Sequence, residues 1–177
     1  MTPSRQPSFT ETSFNSGWAF GSTQAGGLVF FNDGAGKGLV AAPVDQADNI
    51  WGGSSGDTPH GYGPDLIINS GITNTTRILT YAGYATSSAA YVAKSYTGGG
   101  YSDWHLPAIY ELGLLHENLH HSGLGGFTAD AYYWSSTDGG VAGASQGWKM
   151  NGATDYSGYE IYLSKLTVYK VRAVRRF

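Results

Sequence analysis

Between residues 26 and 43 the chain reads GGLVFFNDGAGKGLVAAP. Two apolar runs, residues 28–31 and 39–42, flank Asn32-Asp33-Gly34 with further glycines at 36 and 38, the pattern of a β-hairpin. From 45 to 69 apolar residues thin out and Gly and Pro punctuate the chain, so a long irregular loop is expected, with Trp51 as a plug over the core. Residues 73–81 and 87–96 each begin on Ser or Thr and end at Gly, predicting two short helices. The strongest helical signal runs from Pro107 to about His120, where Ile109, Leu112, Leu115 and Leu119 recur three and four residues apart and define one buried face. Pro107 suits the first turn and Glu111 the positive N-terminal end. The helix is expected to stop at Ser122-Gly123. Beyond Gly126 the period shortens, and strands are expected at 132–137, 146–151, 159–163 and 168–174, separated by Gly-rich turns. Helices in the middle and strands at both ends predict one α+β domain over residues 17–177. A polar tail or arm, residues 1–16, precedes it.

Composition sharpens this picture. The 177 residues are 41% apolar and only 13% charged, with 27 Gly and 13 Tyr. Five Trp and seven Phe supply enough apolar surface for a core. The result is a loop-rich domain with a weakly charged, aromatic surface. Net charge is −3, and five of the ten basic residues (Lys165, Lys170, Arg172, Arg175, Arg176) crowd into the last stretch. A locally basic end on an acidic chain argues against a nucleic-acid partner. Arg172 and Arg175 read instead as scaffold ion pairs. There is no cysteine, which excludes thiol catalysis, disulfides and Cys-based zinc sites. Residues 1–16 carry no apolar segment of the signal-peptide kind, and no run approaches the ~18 apolar residues of a membrane span. No membrane insertion is expected.

One stretch carries a catalytic pattern. Residues 116–120, HENLH, match the zinc-hydrolase motif in which two His on one helix face ligate zinc and Glu activates the bound water. His116, Glu117 and His120 would fill those roles. A third protein ligand is required, and the position that supplies it in the longer motif is Gly126, which cannot ligate. The only downstream Glu, Glu160, lies in a predicted strand. His116 flanks the buried stripe, and both histidines are expected to be exposed at a fraying helix end, where the dipole favours their cationic form. No metal and no other cofactor is expected, and a zinc-dependent hydrolase stands as the rival reading.

Three blocks occur in order along the chain: GGLVFFNDGAGKGLVAAPVDQ with WG shortly after, GGYSDWHLPAIYELGLLHENL, and YYWSST followed by YKVRAVRRF. Together they resemble the Lcl C-terminal domain family, a bacterial and viral group of C-type-lectin-like domains marked by G-G-x-V-F, D-W-x-L-P-[ST]-x-x-E-L, Y-W-S-S and V-R-x-V-R. The likeness covers about residues 26–177. It departs at Ala108, where the family often has Ser or Thr, so Glu111 lacks its reciprocal cap partner. Cysteines of some members are also missing.

The resemblance implies a C-type-lectin-like fold with short helices on small antiparallel sheets, and binding rather than catalysis. The calcium-site signatures E-P-N, Q-P-D and W-N-D are absent, so a calcium-dependent sugar site is not implied. By the same resemblance, ligands would meet residues 137–162, TDGGVAGASQGWKMNGATDYSGYEIY. Tyr and Trp offer rigid amphipathic area there, and small polar residues offer adaptable hydrogen bonds. Candidate ligand-binding residues are Asp138, Gln146, Trp148, Asn151, Asp155, Tyr156, Tyr159 and Tyr162, of which strand alternation must turn some inward. Trp104 and Trp134 read as core, and Trp148 as either. The Tyr/Ser/Asp/Gly/Ala/Thr palette is also what adenine-directed mutagenesis leaves in the variable region of a diversity-generating retroelement. The same palette occurs in the loops of any strand-rich domain. The expectation is a non-enzymatic binding protein for a macromolecular ligand, a protein or glycan on a cell surface, displayed by a phage, virion or cell.

Overall fold

The apolar runs of the hairpin form β2 (Gly27–Asn32) and β3 (Gly38–Ala41), paired antiparallel. The Asp33 carboxylate closes the turn by accepting from the amides of Ala35 and Lys37 at 2.8 and 3.0 Å. A computed structural model describes residues 17–52, 68–80, 84, 86–141, 144–150 and 159–177, with the backbone alone at 140, 141, 144–146, 148, 159 and 160. The arm 1–16 and most of the expected loop lie outside these residues. The short β1 (Thr23–Gln24) flanks the hairpin on one side and β9 (Val174–Arg176) on the other, giving the order β1-β2-β3-β9. The pairing of β2 with β3 shifts by one residue between Val29 and Phe31, a bulge that places Phe30 opposite no partner. Val29, Val40 and Ala42 then feed one apolar cluster, while Phe30, Leu39 and Ala41 feed a second. The hairpin is buried on both faces.

The second sheet has the order β4-β8-β5-β6-β7, built from Gln46–Asn49, Tyr169–Val171, Ala131–Val141, Ala144–Met150 and Tyr159–Ser164. All its neighbours are antiparallel except β5 with β8. Among the described residues, three α-helices cover the sheets: α1 (Ser70–Thr80), α2 (Ala89–Ser95) and α3 (Ile109–Leu115). The first cluster gathers Trp51, Ile78, Tyr84, the α2 alanines, Trp104 and Trp134. The second holds Leu112, Leu115 and Leu119 against Tyr133 and Met150. Trp51, Trp104 and Trp134 are fully buried, as expected. Two sheets and short helices make an α+β architecture.

Several boundaries differ from the pattern-based expectation. The polar stretch 46–49 is a strand, held by pairing with β8 rather than by any alternation of its own. Helix α1 starts at Ser70, ahead of the expected residue 73. The final expected strand breaks at Arg172-Ala173 into β8 and β9, which join different sheets. Helix α3 begins after Pro107 and Ala108, and over His116–His120 it widens into a π-helical turn, with the His121 amide bonded to the His116 carbonyl at 2.8 Å.

Helix α3 is capped from a distance. Ala108 has no side-chain acceptor, and the hydroxyl of Thr137 on β5 takes its place, accepting from the Ile109 amide at 3.0 Å. The Glu111 carboxylate accepts from the Ala108 amide at 2.8 Å and from the Asn69 amide at 2.7 Å. One buried side chain thus serves the N-termini of both α1 and α3, where two sets of unsatisfied N–H groups would otherwise meet in the interior.

Candidate functional site

The proposed ligand segment begins in buried scaffold. Ser135, Ser136, Thr137 and Asp138 are all buried, Asp138 at 6% exposure. The Ser136 amide donates to the Pro107 carbonyl at 2.7 Å, which ties this strand to the start of α3. The carboxylate of Asp138 accepts from Nζ of Lys165 at 3.2 Å, and Lys165 is fully buried. The expectation that Thr137 and Asp138 open a ligand-facing surface is therefore corrected: their side chains serve α3 and Lys165.

Trp51 joins the two ends of this segment. Its amide donates to the Lys165 carbonyl at 3.0 Å, and its indole N–H donates to the Ser135 carbonyl at 2.8 Å. Its ring lies under the Lys165 ammonium, 4.6 Å from Nζ to the centroid, which offsets part of the cost of burying that charge. Tyr84 packs edge-on against the same ring with centroids 5.9 Å apart. Asp138, Lys165 and Trp51 close a ring of contacts at the two ends of residues 139–164, while β6 runs back along β5.

Register sorts the candidate residues. Gln146 pairs with Tyr162 and Trp148 with Glu160, so these four positions share one face of the β6–β7 ribbon. Tyr162 is 47% exposed there. Tyr159 pairs with Lys149 and takes the other face, the one that holds Ile161 and the buried Leu163. Further pairings carry that row across the sheet through Tyr132 to the neighbouring Tyr169 and Asn49. The candidate set thus divides between two faces. Asn151, Asp155 and Tyr156 lie outside the described residues. Gly147, at the centre of the ribbon, has no room for a side chain: a Cβ would meet Leu163 Cδ1 at 2.5 Å and the Tyr133 carbonyl oxygen at 2.8 Å.

The HENLH stretch does not form the exposed helix end expected of it. His116 and His120 are both buried at 5% exposure, with ring centroids 5.5 Å apart, whereas Glu117 between them is exposed. Phe127, which packs against the second core cluster, lies edge-on against His120 at 5.9 Å. The three residues do not converge. Among the described residues no group of three His, Cys, Asp or Glu side chains is placed to hold a metal ion.

The Gly125-Gly126 pair that follows has a different use. The buried Arg172 guanidinium donates to the carbonyls of Gly125 at 2.7 Å and Ala42 at 3.0 Å, and pairs with Asp45. It also stacks over Phe127 at 4.0 Å. The other oxygen of Asp45 accepts from the Tyr133 hydroxyl at 2.8 Å. Burial, with the Asp45 carboxylate beside it, pushes that phenol up to about 12. Arg175 pairs with Asp103 and stacks on Tyr101. Both arginines are scaffold ion pairs, as their position suggested.

A second buried acid–base pair lies under the helices. His105 Nε2 is 3.8 Å from Glu111 Oε2, and both residues are all but fully buried. Desolvation raises the Glu111 carboxyl to about 7, although the amides that bond it pull the other way. Desolvation lowers His105 to about 4, opposed by its neighbour Asp103. This pair is closed off, with Gly71 backbone packed against both side chains. No sequence signal marked Lys165 or Thr137 as partners of this region, because both act through contacts distant in the chain. No protein-family model matches the chain, and no curated protein matches it.

Proposed function

We propose that this chain is a non-enzymatic binding protein of C-type-lectin-like fold, related to the Lcl C-terminal domain family, whose ligand surface lies on the β6–β7 ribbon and the chain joining its strands. The observation that carries this reading is the division of labour at the ribbon. The ends of the segment are tied into a buried polar frame, while Tyr162 stands exposed on a face shared with the Gln146 and Trp148 positions. Amphipathic aromatic and small polar residues on a rigid support suit recognition of a macromolecule. The ligand surface comprises Gln146, Trp148, Tyr162, Asn151, Asp155 and Tyr156, with Tyr159 on the opposite face contributing at the rim. Its partner is a protein or glycan on a cell surface, and the bearer is a phage, virion or cell. Diversification by a retroelement accounts for the composition of the segment.

Two tests bear on this. The purified protein is incubated with intact cells of candidate hosts and bound protein is quantified; Tyr162→Ala together with Gln146→Ala should abolish retention while the melting temperature stays unchanged. Retention of the double variant at parental levels would overturn the placement of the surface. The DNA that encodes residues 137–162 should have a near-identical template copy beside a reverse-transcriptase gene, differing at adenines. Without that copy the diversification reading fails.

A further inference from the structure

The Asp138–Lys165 pair occupies a particular place. Asp138 lies in the buried stretch of β5, and Lys165 is the residue after β7. Everything in the proposed ligand ribbon lies between them. Their ion pair, at 3.2 Å between fully desolvated groups, joins the chain entering the ribbon to the chain leaving it. Trp51, from outside the segment, reinforces the same junction three times, through its amide to Lys165, its indole to Ser135 and its ring beneath the ammonium.

We propose that Asp138, Lys165 and Trp51 form a clasp that fixes the two ends of residues 139–164 to one another and holds the β6–β7 edge of the sheet in place, beside the pairing of β6 with residues 131–134 of β5. The three are positioning residues, not ligand contacts. This goes beyond the binding reading and draws on it only for purpose, since the clasp exists whether or not a ligand is ever found. Among the described residues of the ribbon, Gly147 and Met150 on β6 and Ile161 and Leu163 on β7 pack inward and are constrained whether or not the clasp is present. Tyr162 is exposed and free to vary. Removing one member would leave the other charge buried without its ion-pair partner, whereas replacing both with apolar groups of similar size removes the clasp with less of that penalty.

The test is hydrogen–deuterium exchange, read peptide by peptide, on the parent and on the Asp138→Leu/Lys165→Met double variant. In the double variant, amides of β6 and β7 should exchange faster by on the order of tenfold or more, while β2, β3 and α3 keep parental protection. Unchanged protection in β6 and β7 would overturn the proposal. So would a uniform loss across all elements, or failure of the variant to fold, because either makes the pair a general stabiliser instead of a local clasp. As a second readout, Gln146→Ser and Tyr162→Ser should leave the melting temperature of the parent unchanged and lower that of the double variant. Equal effects in both backgrounds would count against the clasp. None of these measurements needs a ligand, so loss of the cell-binding result leaves the clasp standing, and the reverse also holds.

Discussion

At the scale of single residues, the His105–Glu111 pair makes opposite demands on pH. Glu111 titrates near 7 in the folded chain and near 4.5 when unfolded, so the folded state holds a proton that the unfolded state has released. Its stabilisation is complete below the unfolded value and is lost as pH rises through about 7. His105 works the other way: its value near 4 lies below the ordinary 6.5, so its contribution is complete above 6.5 and is lost as pH falls through about 4. Between these limits the two slopes oppose each other. Glu111→Gln should therefore remove the loss on the alkaline side and leave stability rising with pH from about 4 to 6.5. Urea midpoints measured from acidic to neutral pH check this, and a profile parallel to the parent's would refute it. Gly147→Ala is the other residue-scale case. The added Cβ meets backbone as well as the Leu163 side chain, so a cost of about 1–3 kcal/mol is expected in denaturant titrations.

At the scale of elements, Thr137 gives α3 the cap that its own sequence lacks. Thr137→Val keeps the shape and removes the acceptor, and should destabilise by about 1 kcal/mol in chemical unfolding. No change would mean that another group satisfies the Ile109 amide. This contact also shows where local reading ends. The hairpin was legible because two apolar runs and the Asn-Asp-Gly turn chemistry agree, and α3 because Ile109, Leu112, Leu115 and Leu119 trace one stripe. Strand β4 was not legible: QADN has no strand pattern, and its pairing partner lies at the far end of the chain. The burial of His116 and His120 was hidden for a related reason. A π turn changes the angular phase of a helix, and nothing in HENLH announces one. At the site, the period of β7 separated Tyr159 from Tyr162, but the inward turn of Asp138 depended on Lys165, which a search for ligand contacts had no reason to consider.

At the scale of the molecule, the two apolar clusters are held together by elements that serve both. Leu115→Ala in the second cluster should cost roughly 2–5 kcal/mol, and the loss should appear in a single unfolding transition if the clusters are cooperative. Metal content offers a sharper distinction between the binding and hydrolytic readings. Purified protein should carry no stoichiometric zinc, and a chelator should leave its melting temperature unchanged. One tightly held zinc per chain, lost in His116→Ala, would restore the hydrolase.

The bulge in β2 has a consequence for how the gene can change. Strands normally punish insertions and deletions, because one residue more or less turns every later side chain to the wrong side. Here the extra residue is already accommodated, with Leu28 and Val29 pairing on one register and Phe31 and Asn32 on the next. Loss of a single codon for Phe30 or Phe31 would return the hairpin to unbroken parity and leave every downstream pairing in place. Loss of the codon for Val40 on the opposite strand would invert it. The same three-nucleotide event is thus a packing defect on one strand and a folding failure on the other.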